Sequence, residues 1–116
     1  MRIGLFTDTY YPQINGVATS VFLLKKYLEL EGHEVFVCTT SDPKAEANEY
    51  NTYRTKSLPF VSERRFGSFY SPRLAALAQS HKPDIIHTHT EFPLGVFGRA
   101  LSHNFKVPHI HTYHTI

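Results

Sequence analysis

The sequence predicts an α/β protein built on a doubly wound parallel sheet, and three observations predict it. Short apolar runs at Ile3 to Thr7 and Glu34 to Thr39 are too continuously hydrophobic to face water. Such runs alternate along the chain with stretches of helical periodicity. Polar residues then collect just after the runs, at strand carboxyl ends, where open α/β sheets bind their ligands.

The elements follow in order. Ile3 to Thr7 is the first strand. Asn15 is a good N-cap, and Gly16 opens a helix that lasts to about Glu31. Val17, Val21, Leu24 and Leu28 recur at i, i+4, i+7 and i+11, which makes one apolar face. Lys25, Lys26 and Glu29 fall mostly outside it, and Gly32 is a natural stop. Glu34 to Thr39 is the second strand and completes a βαβ unit. Thr52 to Ser57 is a weaker third strand. Ser71-Pro72 starts a helix with proline at its first position, carries Leu74, Leu77, Ala78 and His81 on one side, and breaks at Lys82-Pro83. Asp84 to Thr88 is a fourth strand. A helix from about Pro93 to Asn104 aligns Leu94, Phe97, Leu101 and Phe105, and Pro108 to Thr112 begins a fifth strand.

Composition sets the bounds. A chain of 116 residues with 41% apolar and 19% charged content makes at most one ordinary globular domain. No apolar run approaches bilayer length, and the N-terminal run reads as a strand rather than a signal peptide. The single Cys38 excludes an internal disulfide framework and fits a reducing cytoplasm. The chain stops directly after a strand, so a truncated polypeptide is expected.

The net charge of +2 is unevenly distributed. Six acids oppose Lys44 alone between Glu29 and Tyr50. Five bases (Arg54, Lys56, Arg64, Arg65 and Arg73) oppose Glu63 alone in the next stretch, interleaved with Leu58, Phe60, Phe66, Phe69 and Tyr70. That pattern suits an anionic surface, lipid headgroups or nucleic acid. A solvated loop with its aromatics folded back on the core explains it equally well.

Asp8 follows strand one, His87 and His89 lie at strand four, and His111 and His114 lie at strand five. Three chemistries compete for them. A metal hydrolase would use the pairs His87-x-His89 and His109-x-His111, each on one strand face, with Asp8 or Glu91 as carboxylate. A dinucleotide oxidoreductase would want Gly-x-Gly-x-x-Gly at the first turn, where only Gly16 is present, although Asp42 lies where a ribose ligand could sit. Group transfer from a nucleotide-activated donor needs only one glycine, with Gly16 at the phosphates and a histidine at the reacting groups. Against these stand plainer roles: a packing glycine at a helix start, and strand-end histidines bonded to backbone.

Four segments carry a family resemblance. They are Met-Arg-Ile-Gly-Leu-Phe-Thr-Asp-Thr-Tyr-Tyr-Pro-Gln-Ile-Asn-Gly-Val-Ala-Thr-Ser-Val (1–21) and Glu-Gly-His-Glu-Val (31–35). Pro-Asp-Ile-Ile-His-Thr-His-Thr-Glu-Phe-Pro-Leu-Gly (83–95) and Val-Pro-His-Ile-His-Thr-Tyr-His-Thr (107–115) complete the set. In this order the chain resembles the N-terminal part of retaining family 4 glycosyltransferases, two-domain enzymes of the GT-B fold. The likeness is weakest between residues 41 and 72. Within the family it is strongest to bacterial enzymes that glucosylate diacylglycerol.

The resemblance implies a Rossmann-like, acceptor-side half-domain covering 1–116, with the C-terminal nucleotide-sugar-binding domain and its Glu-x7-Glu motif absent. The fragment by itself would then be inactive. Gly16, with Asn15 beside it, would let its backbone approach the donor diphosphate. His114 matches the family histidine near the transferring sugar and acceptor hydroxyl, and His89, Glu91 and Asp8 would line the same cleft. Retention in the family is attributed to front-face attack, with the departing phosphate helping to deprotonate the acceptor. No cofactor or metal is implied; the donor would be a nucleotide-sugar such as UDP-glucose, and the acceptor a lipid such as diacylglycerol. Arg64, Arg65 and Phe66 would meet an anionic membrane surface rather than nucleic acid, placing the protein peripherally on the cytoplasmic face. A non-catalytic phosphate or sugar-nucleotide module remains the alternative, and a histidine-ligated metal hydrolase a third.

Overall fold

The computed structural model describes residues 1–45, 49–55, 71–91 and 93–114. Among these, strands β1 (Arg2–Phe6), β2 (Glu34–Thr40), β3 (Thr52–Thr55), β4 (Ile85–Thr88) and β5 (His109–His111) form one sheet in the order β3-β2-β1-β4-β5. Every neighbouring pair is parallel. Helices α1 (Gly16–Leu30), α2 (Pro72–His81) and α3 (Pro93–Phe105) join them. This is the Rossmann-like, doubly wound arrangement expected. The chain builds outward from β1 to β3, then returns to lay β4 on the other side of β1. The strand order therefore reverses between β1 and β4.

The period-two alternation of the strands divides the core between two faces. Ile3, Leu5, Val35 and Val37 point to one face, where Val21 of α1 is buried against them, flanked by Val17, Leu24 and Leu28. Phe6, Phe36, Cys38 and Ile86 point to the other, where they meet Leu74 and Ala78 of α2 and Leu94, Phe97 and Leu101 of α3. Phe6 anchors that layer with edge-on contacts to Phe36 (6.2 Å) and Phe97 (5.9 Å), the geometry ring quadrupoles favour. Close approach of α3 depends on Gly98. A Cβ there would lie 2.8 Å from both Phe6 Cγ and Thr88 Cγ2, so any side chain would push the helix off the sheet.

The helix signals hold. Asn15 Oδ1 accepts from Ala18 N–H at 2.8 Å, Ser71 Oγ accepts from Leu74 N–H at 3.2 Å, and Gly32 turns the chain at φ +93° after α1. The departures have local causes. β1 ends at Phe6 rather than Thr7, whose hydroxyl turns into the following loop and donates to Thr9 O at 2.7 Å. β4 begins at Ile85 rather than Asp84, because the Asp84 carboxylate accepts from Arg2 N–H at 2.7 Å. Lys25, expected outside the apolar stripe, is buried: its ammonium pairs with Glu29 at 2.9 Å and sits 5.5 Å from the Tyr50 ring centroid. Arg54 is likewise not a free surface base. It bonds Glu49 and two main-chain carbonyls, and Arg73 donates to its carbonyl at 3.0 Å. The rest of the basic and aromatic stretch, including Arg64, Arg65 and Phe66, lies outside the described residues, as do Lys56 and Ser57 of the expected third strand.

Candidate functional site

The loops after β1 and β4 emerge side by side at the carboxyl edge, at the point where the strand order reverses. In open α/β sheets that crevice is where ligands sit. Its first wall is the loop from Thr7 to Asn15. Asn15 caps α1 with one side-chain atom and with the other donates to Thr9 Oγ1 at 2.8 Å, while Thr9 Oγ1 donates to Gln13. Gln13 N–H reaches Tyr10 O at 2.9 Å. The side chains thus hold the loop in one shape. Ala18 and Thr19 N–H groups are taken by Asn15, which leaves those of Gly16 and Val17 without an acceptor inside the helix. Gly16 is exposed, and a Cβ built on it meets nothing within 4 Å. It is therefore not a packing glycine; the space beside it is open to a ligand.

Asp8 bridges the two walls. Its Oδ2 accepts from Thr90 Oγ1 at 2.5 Å, its Oδ1 accepts from Leu94 N–H at 3.1 Å, and its own N–H donates to Thr90 Oγ1 at 3.0 Å. The carboxylate so caps the N-terminus of α3 from the end of β1. Burial pushes its pKa up; the Thr90 hydroxyl and the Leu94 and Gly95 N–H groups pull it back in part. Its first task is structural, since both oxygens are engaged by the protein.

The second wall carries the histidines, and strand alternation splits them between faces. His87 and His89 share the α1 face, with ring centroids 4.0 Å apart. His87 Nε2 meets Thr112 Oγ1 at 2.6 Å, and His89 Nδ1 meets His114 Nε2 at 3.2 Å. His89 is 4% exposed, and its Nε2 is buried with no hydrogen-bond partner among the described residues. Burial, reinforced by His87 and His114, pushes its pKa down to about 3, so the imidazole is neutral. His87 is shifted the same way, chiefly by burial. A neutral ring bonded to His114 through one nitrogen presents the other as a single donor or acceptor, depending on which ring carries the shared proton.

His109 and His111 lie on the opposite face, against α3. The Thr88 hydroxyl sits 2.7 Å from both His109 Nε2 and His111 Nδ1, and Glu91 Oε1 is 3.1 Å from His111 Nε2. A carboxylate accepts, so His111 donates to it through Nε2–H. The Thr88 hydroxyl links the two rings, within hydrogen-bond reach of one nitrogen on each. This chain borders a cavity of about 380 Å³ lined also by Val96 and Arg99. The two histidine pairs predicted to share a strand face each do so, but on opposite sides of the sheet. Among the described residues no group of three or more His, Cys, Asp and Glu side chains converges to hold a metal ion.

Of the residues expected from sequence, His89 and His114 are brought into contact, Glu91 joins His111, and Asn15 and Gly16 form the start of α1. Sequence reasoning missed Thr90, which ties Asp8 to the second wall, and Arg54, counted only as one surface base among five. Thr90 lies inside the segment 83–95 that carried the family likeness, but a threonine beside three more conspicuous residues gave no signal of its own.

The sequence model of Glycosyltransferase Family 4 matches residues 14–116. An alpha-monoglucosyldiacylglycerol synthase of Streptococcus pneumoniae is 48% identical over 99% of this chain and 27% of its own length. One of the same name from Acholeplasma laidlawii is 37% identical over 99% of this chain and 30% of its own. A GDP-mannose-dependent alpha-mannosyltransferase of Mycolicibacterium smegmatis is 25% identical, again over 99% of this chain and 32% of its length. The chain thus spans under a third of each of these relatives.

Proposed function

The chain belongs to glycosyltransferase family 4, and from that premise we propose that it forms the acceptor-side wall of a retaining hexosyltransferase cleft, completed by a second Rossmann-like domain. The donor is a nucleotide-sugar, UDP-glucose, and the acceptor a lipid hydroxyl, that of diacylglycerol. The names of the two more similar relatives support this choice of sugar and lipid. One observation carries the proposal. The loop after β1 ends in an unhindered glycine at a capped helix start, and the loop after β4 carries a buried neutral histidine whose Nε2 has no partner among the described residues.

In the transfer, the bond from the sugar's anomeric carbon to the phosphate oxygen breaks, and a bond to the acceptor oxygen forms on the same face. The acceptor proton passes to the departing phosphate. Negative charge grows on that phosphate, and the N–H groups of Gly16 and Val17 with the α1 dipole are placed to stabilise it. His114 and His89, hydrogen-bonded to each other, orient the reacting hydroxyls; the neutral form suffices for that. Asp8 and Glu91 act from behind, holding α3 and His111. Arg64, Arg65 and Phe66 meet the membrane at its cytoplasmic face.

The test is glucosyl transfer from UDP-glucose by the complete polypeptide that carries this chain, on diacylglycerol vesicles with and without anionic lipid. Gly16→Val should lower turnover by about 100-fold at unchanged stability, because its side chain enters open space. Near-parent turnover would mean that the phosphate site is misplaced. In the same assay Arg64→Glu with Arg65→Glu should abolish any stimulation by anionic lipid, and stimulation that persists removes the membrane role.

A further inference from the structure

The Thr7–Asn15 loop has a shape of its own, but its place on the domain is set from outside, and Arg54 is the residue that reaches furthest to set it. The guanidinium donates through Nε and Nη2 to the two oxygens of Glu49, at 2.6 and 2.8 Å. Nη1 donates to Thr40 O at the end of β2, at 2.9 Å, and Nη2 also donates to Tyr11 O at the crown of the loop. The Tyr10 ring lies 5.8 Å from the guanidinium carbon. The Arg54 and Glu49 side chains are only 13% and 16% exposed. A planar fork with its charge neutralised by Glu49 thus gives two of its three remaining donors to backbone carbonyls, one on the sheet and one on the loop.

We infer that Arg54 is a positioning residue for the phosphate-facing loop, acting through Tyr11 on the orientation of Asn15 and Gly16. The inference rests on the family 4 reading of that loop. Two features make placement, rather than bulk stability, its purpose. The contacts inside the loop, from Asn15 to Thr9 and from Thr9 to Gln13, already fix its fold without Arg54. What Arg54 adds is the register of the loop against β2, reinforced by Thr40 Oγ1, which donates to Asp8 O at 3.1 Å. Lysine cannot replace it. One ammonium group lacks the planar fork that satisfies a bidentate carboxylate and two carbonyls together.

The test uses the complete polypeptide carrying this chain, with kcat and donor KM for transfer from UDP-glucose measured per folded molecule. Arg54→Lys and Arg54→Ala should each lower kcat by about 10- to 100-fold with donor KM little changed, because the lost alignment matters most as phosphate charge develops. Added methylguanidinium should restore part of the kcat of Arg54→Ala, which a purely structural role would not allow. Glu49→Gln, the milder change, should lower kcat in the same direction and serves where the arginine variants fold poorly. Unchanged kcat per folded molecule in these variants, alongside an inactive Gly16→Val, overturns the inference and leaves the family reading intact. An active Gly16→Val overturns the placing of the phosphate site at this loop, and the inference with it, while the family membership stands.

Discussion

Asp8 offers the sharpest division between a residue that holds the site and one that reacts in it. Its two carboxylate oxygens accept from Thr90 and from the N-terminus of α3. Asp8→Ala removes the helix cap, which costs about 0.5–2 kcal/mol. It also leaves a partly buried donor unpaired, which costs about 1–3 kcal/mol. Returning a buried charge to water recovers part of this, so the expected net loss is about 2–3 kcal/mol. Asp8→Asn keeps an oxygen for Leu94 N–H and replaces the acceptor at Thr90 by an amide that can donate to its hydroxyl oxygen, so at neutral pH it should lose about 1 kcal/mol or less.

The pH dependence separates the two effects. Burial raises the folded pKa of Asp8 above its ordinary value of 3.8, so the native state holds that proton more tightly than the unfolded chain does. The stability linked to it is full below the unfolded pKa and is lost as pH rises through the folded one. Asparagine has no such term. Urea unfolding of the chain at acid and neutral pH should therefore show Asp8→Asn gaining on the parent as pH rises, with Asp8→Ala least stable at neutral pH. Transfer by the complete polypeptide should survive Asp8→Asn. An Asp8→Ala variant within about 0.5 kcal/mol of the parent, or an inactive but fully stable Asp8→Asn, would refute the reasoning. The second outcome would move Asp8 into the chemistry.

Two further outcomes follow from the packing and from the histidines. Gly98→Ala should destabilise the chain by about 1–3 kcal/mol in urea unfolding, because its Cβ falls 2.8 Å from Phe6 and Thr88; a neutral effect would mean that α3 is not held so close. For His89 the folded pKa is depressed from 6.5 to about 3, with His87 and His109 lowered in the same direction. The unfolded chain then binds protons that the native state refuses, so stability is full above about 6.5 and is lost as pH falls through that window toward 3. His89→Gln should flatten this acid limb in a series of thermal melts at stepped pH; an unaltered limb would place its cause elsewhere.

The elements were legible in the sequence because each rests on local physics. The Asn15 cap, the stop at Gly32, the proline after Ser71 and the α3 stripe of Leu94, Phe97 and Leu101 are all found where periodicity and capping put them. Strand faces were legible too, since alternation alone places His87 with His89 and His109 with His111. What local rules could not tell is which residues meet across the fold. Lys25 and Arg54 read as solvated charges because their partners' positions depend on tertiary packing: Tyr50 for the one, Tyr11 O and Thr40 O for the other. Asp8 and Thr90 are 82 residues apart, and no spacing rule joins them.

That blind spot has a consequence for the site itself. Read from the sequence, Asp8, His87, His89, Glu91, His111 and His114 are polar groups gathered at strand ends, with metal hydrolysis a lesser competitor to group transfer. The sheet sorts them into separate structures. Glu91 and His111 join Thr88 and His109 on the α3 face, Asp8 turns its oxygens to α3, and His89 with His114 is left on the α1 face. That leaves one coupled histidine pair on the α1 face and one open helix start after β1. Such a pair can orient hydroxyl groups, and such a helix start can take growing phosphate charge. The proposed transfer from a phosphate-activated sugar would use that combination.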